Sequence, residues 1–287
     1  MLSAPTDAQL DTSRLQRAVD RAVDESHAAI VVIALEPETI LASSHLEAAS
    51  KALVRPGSAV KPLVLAELVN VGKVDPKQHL VCKRPLRIGS MRLDCSHPSE
   101  LNQIDADDAI AYSCNSYVSQ VALRMSADEL VQTFRRAGLD STTGLVKSEA
   151  AGRIQMPTNQ EQLQLAALGE RGIEVTPLEL LHAFRNLALR RAAGSHSPEE
   201  AVFAGMEHAV SYGTAHAAYV SGMDVAGKTG TAASARTAHT HGLFVGYAPA
   251  ERPEIGIVVY VPQGRGPDAA ALAQPVFEEF SRMKRKP

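Results

Sequence analysis

The sequence predicts an α+β protein: an antiparallel sheet flanked by N- and C-terminal helices, with a mostly helical subdomain inserted between the strands. Two observations carry this. Apolar runs rich in β-branched residues fall near both ends of the chain, and between them apolar residues recur at helical spacing over a long stretch.

The elements follow in order. Residues 7–26 place Leu10, Leu15, Ala18, Val19, Ala22 and Val23 on one helical face. Residues 28–35 form a continuous apolar run, Glu36-Pro37-Glu38 interrupts it, and Thr39-Ile40-Leu41-Ala42 resumes, the pattern of a β-hairpin turning at the proline. Residues 58–216 read as mostly helical. Arg55-Pro56-Gly57 precedes a helix expected over 59–71, which Gly72 can end, and Pro62 is tolerable there because it falls in the first turn. Thr176, Pro177 and Glu179 mark another helix start as cap, first-turn proline and capping-box acid. Residues 242–247 and 255–261 are two further strands separated by 249–253, and 269–283 is a closing helix. No internal repeat or low-complexity segment interrupts the pattern. One domain over 1–287 is therefore expected, its sheet part about 1–57 and 217–287 and its helical part about 58–216.

Composition excludes several function classes. A net charge of −3 gives no electrostatic case for nucleic acid or an anionic membrane, and the basic run Arg282-Met283-Lys284-Arg285-Lys286 reads as a solvated tail. With no Trp and 4% aromatics, stacking platforms for bases or sugars are not expected. No segment approaches the 18 or so continuous apolar residues that span a membrane, and the polar N-terminus lacks the apolar core of a signal peptide.

Three short motifs carry chemistry. Ser58-Ala59-Val60-Lys61 sets a hydroxyl and an amine one helical turn apart, at a helix N-terminus where free N–H groups favour negative charge. Ser113-Cys114-Asn115 adds a hydroxyl and a carboxamide 55 residues on, and Lys228-Thr229-Gly230-Thr231 a cation and two hydroxyls 115 residues beyond that. Taken singly, each has a plain reading: a solvated lysine, a link between helices, a glycine-bearing strand. Together they form a serine nucleophile with a lysine base. Lysine is a poor base at its ordinary pKa, and depressing it by roughly 3 units requires about 4 kcal/mol of differential stabilisation. Burial and a second cation can supply that, and Lys228 is the candidate second cation.

In order and spacing these motifs resemble those of the penicillin-binding protein transpeptidase domain, within the superfamily shared with serine β-lactamases. The resemblance runs from the first hairpin to the last helix. It includes the helix opened by Val175-Thr176-Pro177-Leu178-Glu179-Leu180 after the Gly-rich 169–172 loop, and the strands at 242–261. It implies a β-lactamase/transpeptidase-like fold and a peptidoglycan DD-transpeptidase, with no cofactor and no metal. Ser58 would be the nucleophile, Lys61 its base, Ser113 a proton relay, and Asn115 a holder of Lys61 and of a substrate amide. Lys228, Thr229 and Thr231 would bind a substrate carboxylate, Gly227 and Gly230 would let the substrate backbone approach, and the N–H groups of Ser58 and Thr231 would form the oxyanion hole. Partners would be peptidoglycan stem peptides and β-lactam antibiotics. The expected location is extracytoplasmic, in the periplasm or on the outer face of the cytoplasmic membrane, with an export signal or membrane anchor expected outside this sequence. The resemblance does not extend to the accessory N-terminal domains of the larger transpeptidases. Three alternatives stand beside this reading: a serine β-lactamase, a DD-carboxypeptidase, and a β-lactam or muropeptide sensor acylated without turnover. Against the lactamase, no Glu-x-x-Leu-Asn context lies between the second and third motifs. Thr231-Ala232 resembles the cross-linking enzymes more than the carboxypeptidases.

The cysteines leave three readings open. Gly89-Ser90 can turn a hairpin that brings Cys82 and Cys95 together as reduced thiols or as a disulfide, and His79 and His97 just outside the pair give a spacing that superficially suits zinc. His208, His216, His239 and His241 read as surface or satisfied positions, and Asp105, Asp107 and Asp108 as a helix start.

Overall fold

The sheet is layered by the alternation of its central strands. The computed structural model describes residues 11–23, 26–95, 97–194, 197–233 and 239–285; Leu10 and Lys286 lie outside them. Five strands, β1 (Ala29–Ala34), β2 (Thr39–Ser44), β3 (Ala226–Ala233), β4 (Thr240–Ala248) and β5 (Ile255–Val261), form one antiparallel sheet in the order β2-β1-β5-β4-β3. Ala29, Val31 and Ile33 of β1 enter one apolar cluster, while Ile30 and Val32 enter a second on the opposite face. Central β5 is apolar on both sides: Ile255, Ile257, Val259 and Val261 face the second cluster and Val258 the first.

Helices α1 (Thr12–Val23), α2 (Leu46–Lys51), α3 (Lys61–Asn70), α4 (Ala106–Ala111) and α5 (Asn115–Ala122) lead into α6 (Ala127–Arg136), α7 (Gln160–Ala167), α8 (Pro177–Ala193), α9 (Glu200–Ser211) and α10 (Gly266–Lys284). Helices α1 and α10 cover one face of the sheet and pack on each other, tied by an Arg14–Glu279 ion pair of 2.6 Å. On the other face α8 lies against β5 and β4, while α9 packs on β3 and on α4.

The predicted hairpin forms, with Ala34 opposite Thr39. The Thr176 capping box forms too: the Glu179 carboxylate accepts from the Thr176 N–H at 2.6 Å and from the Gly152 N–H at 2.7 Å. Asp105 caps α4 by accepting from the Asp108 N–H at 2.9 Å.

Two of the boundary differences have a clear physical cause. The helix expected over 59–71 opens as a 3₁₀ turn, Gly57–Val60, before α3 begins. Pro62 explains this, because its ring denies the Ser58 carbonyl an α-helical partner, and Lys61 N–H bonds that carbonyl instead. Helix α10 starts at Gly266 rather than 269, because its polar first turn, with Asp268 accepting from the Arg265 N–H at 2.7 Å, carries no apolar periodicity. Among the described residues no helix is long and apolar enough to cross a membrane.

Candidate active site

The tight turn at Gly57–Val60 aligns the first motif. In a 3₁₀ turn residues three apart eclipse one another, so Ser58 and Lys61 share one edge. Lys61 is fully buried, whereas Ser58 keeps partial exposure and its hydroxyl makes no hydrogen bond among the described residues.

Ser113 supplies the next layer through an unusual backbone. It follows the end of α4 with φ +58°, a left-handed position that glycine ordinarily occupies. Its N–H bonds the Ile110 carbonyl at 3.2 Å and that of Cys114 bonds the Ala109 carbonyl at 3.0 Å, the paired bonds of a Schellman end. Cys114 then caps α5, its sulfur accepting from the Tyr117 N–H at 3.4 Å, and Asn115 opens that helix. The second motif is thus a joint between two helices and also a cage. Lys61 Nζ donates to Asn115 Oδ1 at 2.6 Å, to the Ser113 carbonyl at 2.7 Å and to Ser113 Oγ at 3.2 Å. Asn115 is fixed in turn by donating from Nδ2 to the Leu93 carbonyl at 3.0 Å.

The third motif lies on edge strand β3, as expected. Backbone meets backbone here: a Cβ on Gly230 would stand 2.3 Å from the Pro56 carbonyl oxygen, and one on Gly57 would stand 2.8 Å from that of Thr231. Gly57 also donates to Gly169 O at 3.0 Å, and a Cβ on Gly169 would sit 2.1 Å from the Gly57 carbonyl oxygen. A Cβ on Gly227 would run into the Phe244 ring at 2.6 Å. The room at Gly227 and Gly230 is therefore taken by the protein itself, which brings the start of the serine helix against β3. The Thr231 hydroxyl accepts from the Gly266 N–H at 2.8 Å, and its own proton has no acceptor among the described residues. Thr229, nearly buried, donates to Thr214 Oγ1 at 3.2 Å. Lys228 is fully buried and, among the described residues, has one hydrogen bond, to the Thr229 carbonyl at 3.2 Å.

The electrostatics invert one expectation. Burial lowers Lys61 to about 8, against the opposing charges of Cys114, Cys95 and Glu170. Lys228 lies well below the ordinary lysine value, first through burial and second through the charge of Lys61. Lys228 is thus not what depresses Lys61. Negative neighbours hold Lys61 up against burial, whereas at Lys228 the charge of Lys61 adds to burial in pushing the amine down. Sequence reasoning also missed Glu170, whose own carboxyl is pushed up by burial. The Gly169-Glu170-Arg171-Gly172 loop was the available signal. A shallow open depression lined by His45, Leu46 and Lys51 includes none of these residues.

A second cluster adjoins the cage. Cys82, Cys95 and Cys114 are all free, with Sγ–Sγ distances of 3.6 Å (82–95), 3.4 Å (95–114) and 3.7 Å (82–114). The Gly89-Ser90 turn does form, pairing Arg87 with Arg92, and no disulfide closes it. Hydrogen bonding, chiefly from the Cys114 thiol, pulls Cys95 down to about 4, and Cys114 is pushed up as the proton-holding partner. His97 joins the three sulfurs, whereas His79 is exposed and contacts the Lys77 carbonyl at 3.1 Å.

A mixed sheet-and-helix body thus sets a caged lysine one turn from a helix-terminal serine. The model of the penicillin binding protein transpeptidase domain matches residues 22–282, and the chain belongs to that family. It is similar to the peptidoglycan D,D-transpeptidase MrdA of Acinetobacter baumannii, 27% identical over 64% of this chain and 35% of that protein. It is 28% identical to the peptidoglycan D,D-transpeptidase FtsI of Escherichia coli K12, over 77% of this chain and 42% of the relative. The chain thus spans well under half the length of these two curated relatives. Among solved structures, the transpeptidase domain of Burkholderia pseudomallei penicillin-binding protein 3 superposes with a TM-score of 0.82 at 21% identity, covering 96% of each chain. Pseudomonas aeruginosa PBP2, solved in complex with WCK 5153, superposes at 0.78 with 22% identity, over 94% of this chain and 76% of that one. These two likenesses fix the β-lactamase/transpeptidase fold.

Proposed function

We propose that the chain is a serine-type peptidoglycan DD-transpeptidase domain acting outside the cytoplasm. Ser58 attacks the carbonyl between two D-alanines of a stem peptide, and its proton passes to the neutral fraction of Lys61, directly or through Ser113 Oγ. The Ser58 and Thr231 N–H groups receive the developing oxyanion, a contribution of a few kcal/mol in such sites. The Thr231 hydroxyl and Lys228 meet the substrate carboxylate, with Thr229 holding the Thr214 side of the strand. Ser113 Oγ returns the proton to the departing D-alanine, and an amine from a second stem peptide then takes the acyl group. β-Lactams acylate the same serine.

One observation carries the reading: Lys61 is completely buried, held on three acceptors from the second motif, and one turn from a hydroxyl that no other group engages among the described residues. At about 8, roughly a tenth of Lys61 is neutral at pH 7, against fewer than one in a thousand at its ordinary value of 10.5.

Intact-protein mass after mixing with a penicillin tests it. A long-lived adduct of the whole drug on the wild type, absent in Ser58→Ala and formed orders of magnitude more slowly in Lys61→Ala, is expected. An adduct that decays within seconds while drug is consumed means a β-lactamase. Labelling of Ser58→Ala moves the nucleophile elsewhere. Cross-linking or D-alanine release from a stem-peptide donor separates transpeptidase and carboxypeptidase from a sensor that only acylates.

A further inference from the structure

We propose that Cys82, Cys95, Cys114 and His97 form a zinc site that clamps the Ser113–Asn115 joint and thereby positions Lys61. The four ligand atoms lie within 4.8 Å of one another, and three of the residues are buried. The sulfur triangle has edges of 3.4, 3.6 and 3.7 Å. A disulfide requires about 2.05 Å. Tetrahedral zinc with Zn–S of about 2.3 Å spaces its sulfurs about 3.8 Å apart. The triangle therefore has the size of one face of a zinc tetrahedron, with His97 as the fourth corner. Three thiolates and one imidazole form a common closed, structural zinc set, with no position left for water.

The surroundings are those of a thiolate cluster. The first turn of α5 points N–H groups at two sulfurs, Ser116 at Cys95 and Tyr117 at Cys114, each at 3.4 Å. The Pro98 carbonyl lies 3.1 Å from His97 Nδ1 and can accept a hydrogen bond from it, in the tautomer that leaves the Nε2 lone pair to a metal. Arg84 is the competing group: Nη2 contacts His97 Nδ1 and stands 2.8 Å from Nε2 and also 2.8 Å from the His97 carbonyl. Metal binding takes the ring nitrogen and leaves Arg84 the carbonyl. In balance, Zn²⁺ displaces the protons still held by the three thiols, which leave to solvent, and the charge of the closed site is −1.

The consequence for the neighbouring chemistry is geometric. Cys114 lies between Ser113 and Asn115, the two residues that hold Lys61 Nζ, and the left-handed turn at Ser113 is not one that its side chain favours. A metal bond to Cys114, tied back to the 82–97 segment, supplies the fixed point. This positioning role rests on the proposed function, whereas the metal site does not.

The test starts with protein purified under reducing, chelator-free conditions, its zinc counted by mass spectrometry of the elements. Cobalt is then titrated into metal-stripped protein. One zinc per chain is expected, with the sulfur-to-metal charge-transfer absorption and visible bands of tetrahedral thiolate cobalt, and both should fall sharply in Cys95→Ser and His97→Gln. Those variants lie outside the catalytic motifs, and circular dichroism confirms their folding. If either fails to fold, the wild-type zinc count and cobalt spectrum still decide the point. Wild type with three titratable thiols and no stoichiometric zinc overturns the site. So does a Cys82–Cys95 disulfide, or zinc uptake by Arg84→Ala alone. Ser58→Ala should retain its zinc, so a metal-loaded protein that no penicillin labels would defeat the acylation reading and leave the metal site standing. For the positioning role, stripping the metal should slow acylation on the order of 100-fold, as misplacement by about 1 Å does, and zinc should restore it. An unchanged rate overturns that role.

Discussion

Replacing Asn115 with alanine should move the pH at which acylation switches on, and in a direction that loss of folding cannot imitate. Asn115 Oδ1 accepts from Lys61 Nζ at 2.6 Å, the shortest of the three bonds on that amine. A bond to a charged group contributes about 1.5–3 kcal/mol, and one pKa unit corresponds to about 1.4 kcal/mol. Its loss disfavours the protonated amine, so Lys61 should fall about 1–2 units from its value of about 8. The rate of covalent labelling by a fluorescent penicillin, followed from pH 5.5 to 9.5 (about the range both enzymes need), reads this directly. The wild type should rise through a midpoint near 8, and Asn115→Ala should reach a lower plateau through a midpoint displaced to more acid pH. The lower plateau follows from freeing both Lys61 and the Leu93 carbonyl that Asn115 Nδ2 holds. A midpoint that stays put or moves upward would refute the cage as the determinant of the lysine's charge. A wild-type midpoint near the ordinary lysine value would refute the role of burial.

Three further perturbations test other parts of the site. Lys228→Met removes a fully buried amine with a single acceptor, so chemical denaturation should show a gain of about 1–3 kcal/mol while labelling slows on the order of 100-fold; a loss of stability would contradict the burial penalty. The same penalty at Lys61 predicts that wild-type stability rises as pH increases from about 8 toward 10.5, where the unfolded chain binds more protons than the native one. Gly230→Ala drives a methyl to 2.3 Å from the Pro56 carbonyl oxygen, and should lose about 1–3 kcal/mol in unfolding together with much of the labelling rate; unimpaired labelling would mean that the contact between β3 and the serine turn is dispensable. Ser113→Gly relieves a left-handed backbone and should gain about 1 kcal/mol while slowing acylation through loss of Oγ, and an unaltered rate would remove Ser113 from the proton path.

The strands, the capped helices and the three motifs were legible in the sequence because each depends on neighbours a few residues away. Continuous apolar runs rich in β-branched residues make β1 and β5, Pro37 interrupts the hairpin, and Thr176 with Glu179 starts α8 by hydrogen bonds that span three positions. The 3₁₀ opening at Gly57 was hidden by an ordinary helical pattern, although Pro62 contained its cause. Two-residue ladders such as Leu80–Val81 with Gln103–Ile104 are too short for any periodicity to register.

Tertiary structure alone decided the rest. Whether Lys61 is buried depends on what packs over it from residues 113–115 and 170, and no local pattern states that distance. The opposite effects of neighbouring charge on the two lysines, holding Lys61 up and pushing Lys228 down, exist only in the folded site. Gly57, Gly169 and Gly230 are bare because three separate segments meet there, backbone to backbone. The cysteines show the division most plainly. Sequence offered a hairpin that joins Cys82 to Cys95, and folding added Cys114 from the next motif and chose His97 over His79. Local hydrogen bonds and hydrophobic period determine elements; burial, charge and metal geometry are properties of groups distant in sequence, and they exist only once the chain has closed on itself.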